Sequence, residues 1–262
     1  MAAEPARGLA TSMPEWLAGA FGTPGLLFLF IGAFMAGLVR GFAGFGTAMI
    51  YLPVAAQVLS PFEAITTLLV KDLIGPLINV PRAMREGQPP DVLRLAVGAV
   101  LGLPIGVWIL SQVAPEVFRW TVSAAALFIV FALVTGLRYR GQITKPMIFG
   151  TGFLGGILGG SAGLPGPPII LLYMSSTLPV ATIRANNTLY LILADILLIA
   201  VFWWNGYLVP AALLLGALVI LPYTVGIWAG SAIFRPEAEK QYRLAAYVII
   251  AGSALLGLPL WD

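Results

Sequence analysis

The chain is divided into about ten continuous apolar runs, each roughly 10 to 25 residues long and bounded by charged residues or by Pro/Gly-rich breaks. The runs do not alternate with a period of two, as the strands of a transmembrane barrel would. The remaining possibility is a bundle of α-helices, because each helix satisfies its own backbone hydrogen bonds in lipid. We therefore predict an all-α, polytopic integral membrane protein. The predicted segments are 24–40, 46–59, 63–81, 92–112, 118–137, 146–160, 166–177, 182–203, 208–233 and 243–260.

The amino-acid composition also indicates an integral membrane protein. The 262 residues include only 14 Lys and Arg and 11 Asp and Glu, and the mean hydropathy is +0.96. A soluble domain needs a surface with roughly 25–35% charged residues, so soluble enzymes and nucleic-acid-binding proteins are excluded. The chain has no Cys and no His, which removes disulfides, thiolate nucleophiles, imidazole relays and most transition-metal sites. We predict no metal, no cofactor and no enzymatic activity.

The positive charges predict an orientation. They concentrate in three breaks that can all face the cytoplasm at once, while the intervening breaks 113–117 and 204–207 are poor in charge. Both termini then lie outside the cytoplasm, in a bacterial-type inner (plasma) membrane. The basic breaks contain Arg82, Arg85 and Arg94; Arg138, Arg140 and Lys145; and Arg235, Lys240 and Arg243.

An internal repeat divides the chain in two. Residues 37–46 align without a gap on residues 156–165, with three coincident glycines. We predict a polar N-terminal tail over 1–23, a first repeat over 24–137 and a second repeat over 138–262. Each repeat holds five segments, an odd number, so the second enters the membrane from the opposite side. Inverted repeats of this kind are a common transporter plan.

Each repeat has a Gly/Pro-rich break between its first two segments, at 41–46 and at 159–168. Paired broken helices are the best sequence indication of a transport site, because the N–H groups at a new helix start attract anions. Alternatively, glycines four residues apart, such as Gly37 and Gly41, only allow close helix packing.

These paired motifs, with Pro53 in the run after the first break and Pro167-Pro168 opening the run after the second, resemble the TauE/SafE family of sulfite and organosulfur anion transporters. The resemblance covers the whole chain in length and two-repeat layout. It implies export of sulfite, sulfoacetate or a related small organic acid, coupled to an ion gradient.

Two charged residues, Lys71 and Asp72, lie near the middle of segment 63–81. Adjacent residues point about 100° apart on a helix, so we expect no pairing between them along one face. Lys71 either pairs with an acidic residue on another helix for structure alone, or contributes charge to an anion site. In the second case Asp72 positions Lys71 or takes up a coupling proton.

Segment 182–203 repeats this theme, because Arg184, Thr188 and Asp195 follow one stripe with Asn187 beside it. Arg184 is close to the helix start and could instead extend to the membrane interface. Arg40 either binds an oxyanion with bidentate geometry or marks the cytoplasmic tip of a helix hairpin.

The sequence therefore predicts an alternating-access transporter of a small anion, with a passive anion channel as the alternative and an intramembrane enzyme as a third hypothesis. The G-x-S-x-G match around Ser161 lacks a histidine base. The expected partners are a small anion and the lipid bilayer but no nucleic acid, and a homodimer is left open. The predicted substrate-binding residues are Arg40, Gly44, Gly46, Thr47, Lys71, Ser161, Gly163, Gly166, Arg184 and Asn187, and the predicted coupling residues are Asp72 and Asp195.

Overall fold

The fold is entirely helical in the residues that the computed structural model describes, which are 24–77, 80–136, 143–173, 176 and 178–260. Eleven α-helices and no strand occur there, which confirms the all-α part of the predicted fold class. The predicted tail 1–23 lies outside the described residues. The helices are α1 Leu26–Ala43, α2 Thr47–Ala55, α3 Pro61–Leu77, α4 Val80–Glu86, α5 Pro89–Gln112, α6 Pro115–Thr135, α7 Lys145–Ala162, α8 Gly166–Tyr173, α9 Val180–Trp204, α10 Pro210–Ile233 and α11 Glu239–Gly257.

The third predicted segment, 63–81, is described in two parts. Helix α3 is described as far as Leu77 and the short helix α4 from Val80, and positions 78 and 79 between them lie outside the described residues. Pro81 follows directly in the first turn described for α4, where a residue without an N–H is tolerated.

Five helices are long and apolar enough to cross a membrane: α1, α5, α6, α9 from Ala181 onward, and α10. They contain 18 to 24 residues, which at about 1.5 Å per residue matches a hydrocarbon core of about 30 Å. Large apolar side chains cover their outer surfaces, including Trp108 and Trp228, which are 65% and 74% exposed. Such a surface requires lipid around it. The protein is a multi-pass membrane protein.

Helices α2 and α8 are too short to cross. Helix α2 contains nine residues and α8 is described over eight, or about 13 Å of helix each, less than half of the hydrocarbon thickness. Each follows an 18-residue helix after a short break, so α1–α2 and α7–α8 form two interrupted pairs. These pairs correspond to the two Gly/Pro-rich breaks of the sequence.

Glycines bring two pairs of helices into backbone contact. Helix α1 packs on α10, and α5 packs on α7. A Cβ atom at Gly37 would lie 2.1 Å from the carbonyl oxygen of Tyr223, and one at Gly102 would lie 2.2 Å from that of Phe153. Gly98, which the sequence places outside both breaks, has the same role, with 2.3 Å to a carbonyl oxygen of α7. These glycines therefore allow close helix packing, which is the alternative interpretation that the sequence left open.

Candidate functional site

The two breaks are closed by glycines in the left-handed region. Gly44, after α1, has φ +80°, and its N–H donates to the carbonyl of Arg40 at 2.9 Å. Gly163, after α7, has φ +67°, and its N–H donates to the carbonyl of Gly159 at 2.9 Å. Only glycine adopts this conformation without strain, so both residues are needed to end one helix and redirect the chain into the next.

Both breaks border a single cavity of about 150 Å³. Ligand pockets for drug-sized molecules are typically about 300–1,000 Å³, so this cavity suits a small ion or molecule. Helices α3 and α9 complete its wall. The lining residues are Arg40, Gly44, Phe45, Gly46, Thr47, Ala48, Met49, Leu68, Asp72, Gly163, Leu164, Pro165, Gly166, Pro167, Ile170, Asn187, Thr188, Leu191 and Asp195.

Beneath the cavity Lys71 forms an ion pair with its neighbour Asp72, with 2.7 Å between Nζ and Oδ1. The expectation that these residues would not pair was wrong. Their Cα–Cβ bonds do diverge, but the four-carbon stem of lysine is long enough to bring the ammonium back to the adjacent carboxylate. Asp72 also accepts a hydrogen bond from the Thr47 hydroxyl at 3.2 Å. Asp72 thus connects a buried cation to the start of α2.

The Lys71 ammonium is enclosed by aromatic rings. Its Nζ lies 4.0 Å from the ring centroid of Tyr223 and 5.1 Å from that of Tyr51, and the side chain is fully buried. Aromatic faces attract a desolvated cation. The Tyr51 hydroxyl donates to Thr67 at 3.0 Å, and Thr67 donates to the carbonyl of Ala64. These contacts hold Lys71 behind the cavity wall and not in it.

Helix α9 supplies the opposite wall through Thr188 and Asp195, which lie on the stripe that the sequence singled out, and through Asn187 beside it. The described residues offer no hydrogen bond and no ion pair within 4.0 Å to the Asp195 carboxylate. The Asn187 side-chain oxygen is buried and has no hydrogen-bond partner in the described part of the chain. This wall therefore presents polar groups whose hydrogen-bonding capacity is unused.

Three predicted site residues lie outside the cavity lining. Lys71 lies behind it, Arg184 is exposed near the start of α9, and the Ser161 hydroxyl donates to the carbonyl of Ile157 one turn earlier, at 2.7 Å. The residues predicted from the sequence do not include Tyr51 and Tyr223, which enclose Lys71. A tyrosine hydroxyl within an apolar segment was the available signal, because a buried hydroxyl needs a partner.

The charges around the cavity balance. Arg40 and Lys71 are the cations, Asp72 and Asp195 are the carboxylates, and each carboxylate is within electrostatic reach of both cations. Lys71 and Asp72 neutralise each other directly. Arg40 is therefore the cation that borders the cavity without an ion-pair partner in the described residues. A planar guanidinium suits the oxygen atoms of an oxyanion.

Membrane-length helices around a small polar cavity, with two interrupted helix pairs meeting at it, define a multi-pass membrane transport protein. The sequence matches the model of the family described as sulfite exporter TauE/SafE over residues 29–256. The chain belongs to the TauE/SafE family, as its glycine breaks suggested, and membership implies a small anionic substrate. No match was found among curated proteins or among solved structures.

Proposed function

We propose that this protein exports a small anion such as sulfite, sulfoacetate or a related organosulfur or carboxylic acid, by alternating access coupled to an ion gradient. The observation that carries the proposal is the convergence of both helix breaks, with Arg40, on one cavity. Paired broken helices that meet at a shared site are typical of secondary transporters. The 150 Å³ of the cavity favours a small oxyanion over a larger metabolite.

The start of α2 supplies backbone donors. The first backbone hydrogen bond of this helix runs from the Ile50 N–H to the Gly46 carbonyl, at 3.1 Å. The N–H groups of residues 47–49 come before it and have no acceptor within the helix. Residues 47–49 all border the cavity. Together with the positive end of the helix dipole, they favour an anion beside Arg40.

The start of α8 offers fewer backbone donors than the start of α2, whereas the sequence predicts the same role for both breaks. Positions 167 and 168 are prolines, which have no N–H to donate. Among the first three residues of α8 only Gly166 offers a backbone donor. We therefore assign most of the anion-binding capacity to the first break, and we assign a shaping role to the second.

We propose that the two repeats, 24–137 and 138–262, have inverted topology. The packing supports this, because the first helix of each repeat contacts the second-to-last helix of the other, α1 with α10 and α7 with α5. The short second helices, α2 and α8, also correspond. Positive charge in the breaks near Arg82 and Lys145 supports a cytoplasmic position for both and external termini in an inner (plasma) membrane.

Flux into proteoliposomes tests the proposal. Labelled sulfite, sulfoacetate, sulfate and chloride are compared for uptake by vesicles that contain the purified protein, with and without a pH gradient. We expect saturable flux and counterflow for a sulfur oxyanion. The Arg40→Gln variant should lose flux, whereas Arg82→Gln, which alters an exposed arginine paired with Glu86, should retain it. Flux that neither saturates nor shows counterflow would identify a passive channel.

A further inference from the structure

Asp195 differs from the other carboxylate at the cavity. Asp72 has an ion pair with Lys71 and a hydrogen bond from Thr47, so its negative charge is compensated. Asp195 borders the same cavity with no such partner in the described residues. A carboxylate without a direct hydrogen-bond or ion-pair partner within a membrane-spanning helix is costly, and such residues are usually functional.

The groups that face Asp195 come from three helices. Arg40 faces it from α1, Lys71 and Asp72 face it from α3, and Tyr190 lies on its own helix. The cavity-lining residues of α2 and α8, and of the break before α8, include no ionisable side chain. No other titratable group in the described lining can therefore take up a proton in place of Asp195 or Asp72.

An anion in this cavity would meet both Arg40 and Asp195. The cavity encloses only about 150 Å³, so the anion and an ionised Asp195 would be close neighbours in a low-dielectric interior. Protonation of the carboxylate removes this repulsion. It also converts an acceptor-only group into one that can donate an O–H to the anion. Proton and anion therefore favour each other's binding, and the linkage is reciprocal.

We propose that Asp195 binds one proton together with each anion, so that both cross the membrane in the same direction. This assignment rests on the proposed function. The proton enters from the solution to which the cavity is open, resides on a carboxylate oxygen of Asp195 and leaves with the anion on the other side. Asp72 stays ionised beside Lys71. For a dianion the loaded site gains one net negative charge, so an inside-negative potential favours its outward movement.

Affinity as a function of pH is the first test. Sulfoacetate is the probe, because it keeps both negative charges between about pH 6 and about pH 8.5. Its affinity for the wild-type protein should rise as the pH falls, by up to about tenfold per pH unit for one linked proton. Asp195→Asn mimics the protonated group, and its affinity should be independent of pH. Asp195→Glu should restore the dependence.

Asp91→Asn is the matched control, because Asp91 pairs with Arg94 and does not border the cavity. Its pH dependence should equal that of the wild type. An Asp195→Asn variant that keeps the full pH dependence would overturn the assignment. An Asp91→Asn variant that loses the dependence would overturn it as well, because the linked proton would then bind outside the cavity.

Proton movement is the second test. An outward sulfoacetate gradient across proteoliposomes should carry protons out and raise the internal pH, as a trapped dye reports. Saturable flux without proton movement, or with protons moving in the opposite direction, would refute the role of Asp195 and leave the proposed transport function intact. Failure of the wild-type protein to move or bind any of the anions would refute both.

Discussion

Substitution of Gly44 by alanine tests where the anion binds. No heavy atom lies within 4 Å of the position that a Cβ would take at this residue, and Gly44 borders the cavity. The added methyl group therefore enters the space that we assign to the anion, without disturbing a neighbouring side chain. Because φ is +80°, alanine also introduces backbone strain.

Alanine substitutions at two other glycines distinguish the effect of backbone strain on stability from the steric effect on anion binding. Gly136 and Gly206 have φ +65° and +72°, have no heavy atom within 4 Å of a built Cβ, and lie away from the cavity. Alanine at each of the three positions should cost about 1–2 kcal/mol of stability, because its Cβ is disfavoured in the left-handed region. Only Gly44→Ala should also weaken binding. Displacement of the anion from one backbone N–H costs about 1.5–3 kcal/mol, which is roughly a 10- to 150-fold loss of affinity.

The assay is a titration of purified wild-type, Gly44→Ala, Gly136→Ala and Gly206→Ala protein with an anion that gives saturable flux. Thermal unfolding of the same samples checks that the three variants lose similar stability. Equal affinities for Gly44→Ala and Gly206→Ala, at equal stability, would show that the anion does not bind against the first break. Gly163→Ala is not a suitable test of the second break, because its Cβ would lie 2.9 Å from a Leu52 methyl carbon and would disturb the packing.

Three further predictions concern packing and topology. Lys71→Met should lower the free energy of unfolding by about 3–5 kcal/mol, measured by denaturation in detergent, because it leaves the Asp72 carboxylate, only 13% exposed, without its cation. Gly102→Ala should lower it by about 1–3 kcal/mol, because the Cβ would lie 2.2 Å from a carbonyl oxygen of α7. The chain has no native cysteine, so Asn205→Cys should react with an impermeant reagent applied outside intact cells, and Thr144→Cys should not.

Each of these predictions has a control. The double variant Lys71→Met/Asp72→Leu should recover much of the lost stability, because an apolar replacement of a buried ion pair is often close to neutral. Gly150→Ala, where a Cβ meets nothing within 4 Å, should be neutral or stabilising. A loss at Gly150 equal to that at Gly102 would contradict the packing argument. Labelling of both cysteines from one side would contradict the inverted orientation.

The helices could be predicted because their signals are local. A continuous apolar run indicates a membrane helix, and glycine or proline marks its end. The described residues therefore place Gly44, Gly163, Asn187 and Asp195 where the sequence puts them, at the breaks or on one stripe.

The site could be predicted only in part, because its geometry depends on tertiary packing. Helical periodicity fixes the direction of a Cα–Cβ bond but not the path of a long side chain. For that reason the Lys71–Asp72 pair was missed, and helical periodicity alone could not show that Arg184 lies outside the cavity lining. The cage of Tyr51 and Tyr223 comes from two helices far apart in sequence. No local pattern indicates that they meet.

The glycine contacts between α1 and α10 and between α5 and α7 also tie the two halves of the polypeptide together. Each half places its first helix against the body of the other, in backbone contact, so neither half can rotate as a separate unit. Any rocking motion would have to carry α1 with α10 and α5 with α7. The mobile bodies would then each contain helices from both halves. A chain cleaved between α6 and α7 would leave two fragments held together by both glycine interfaces.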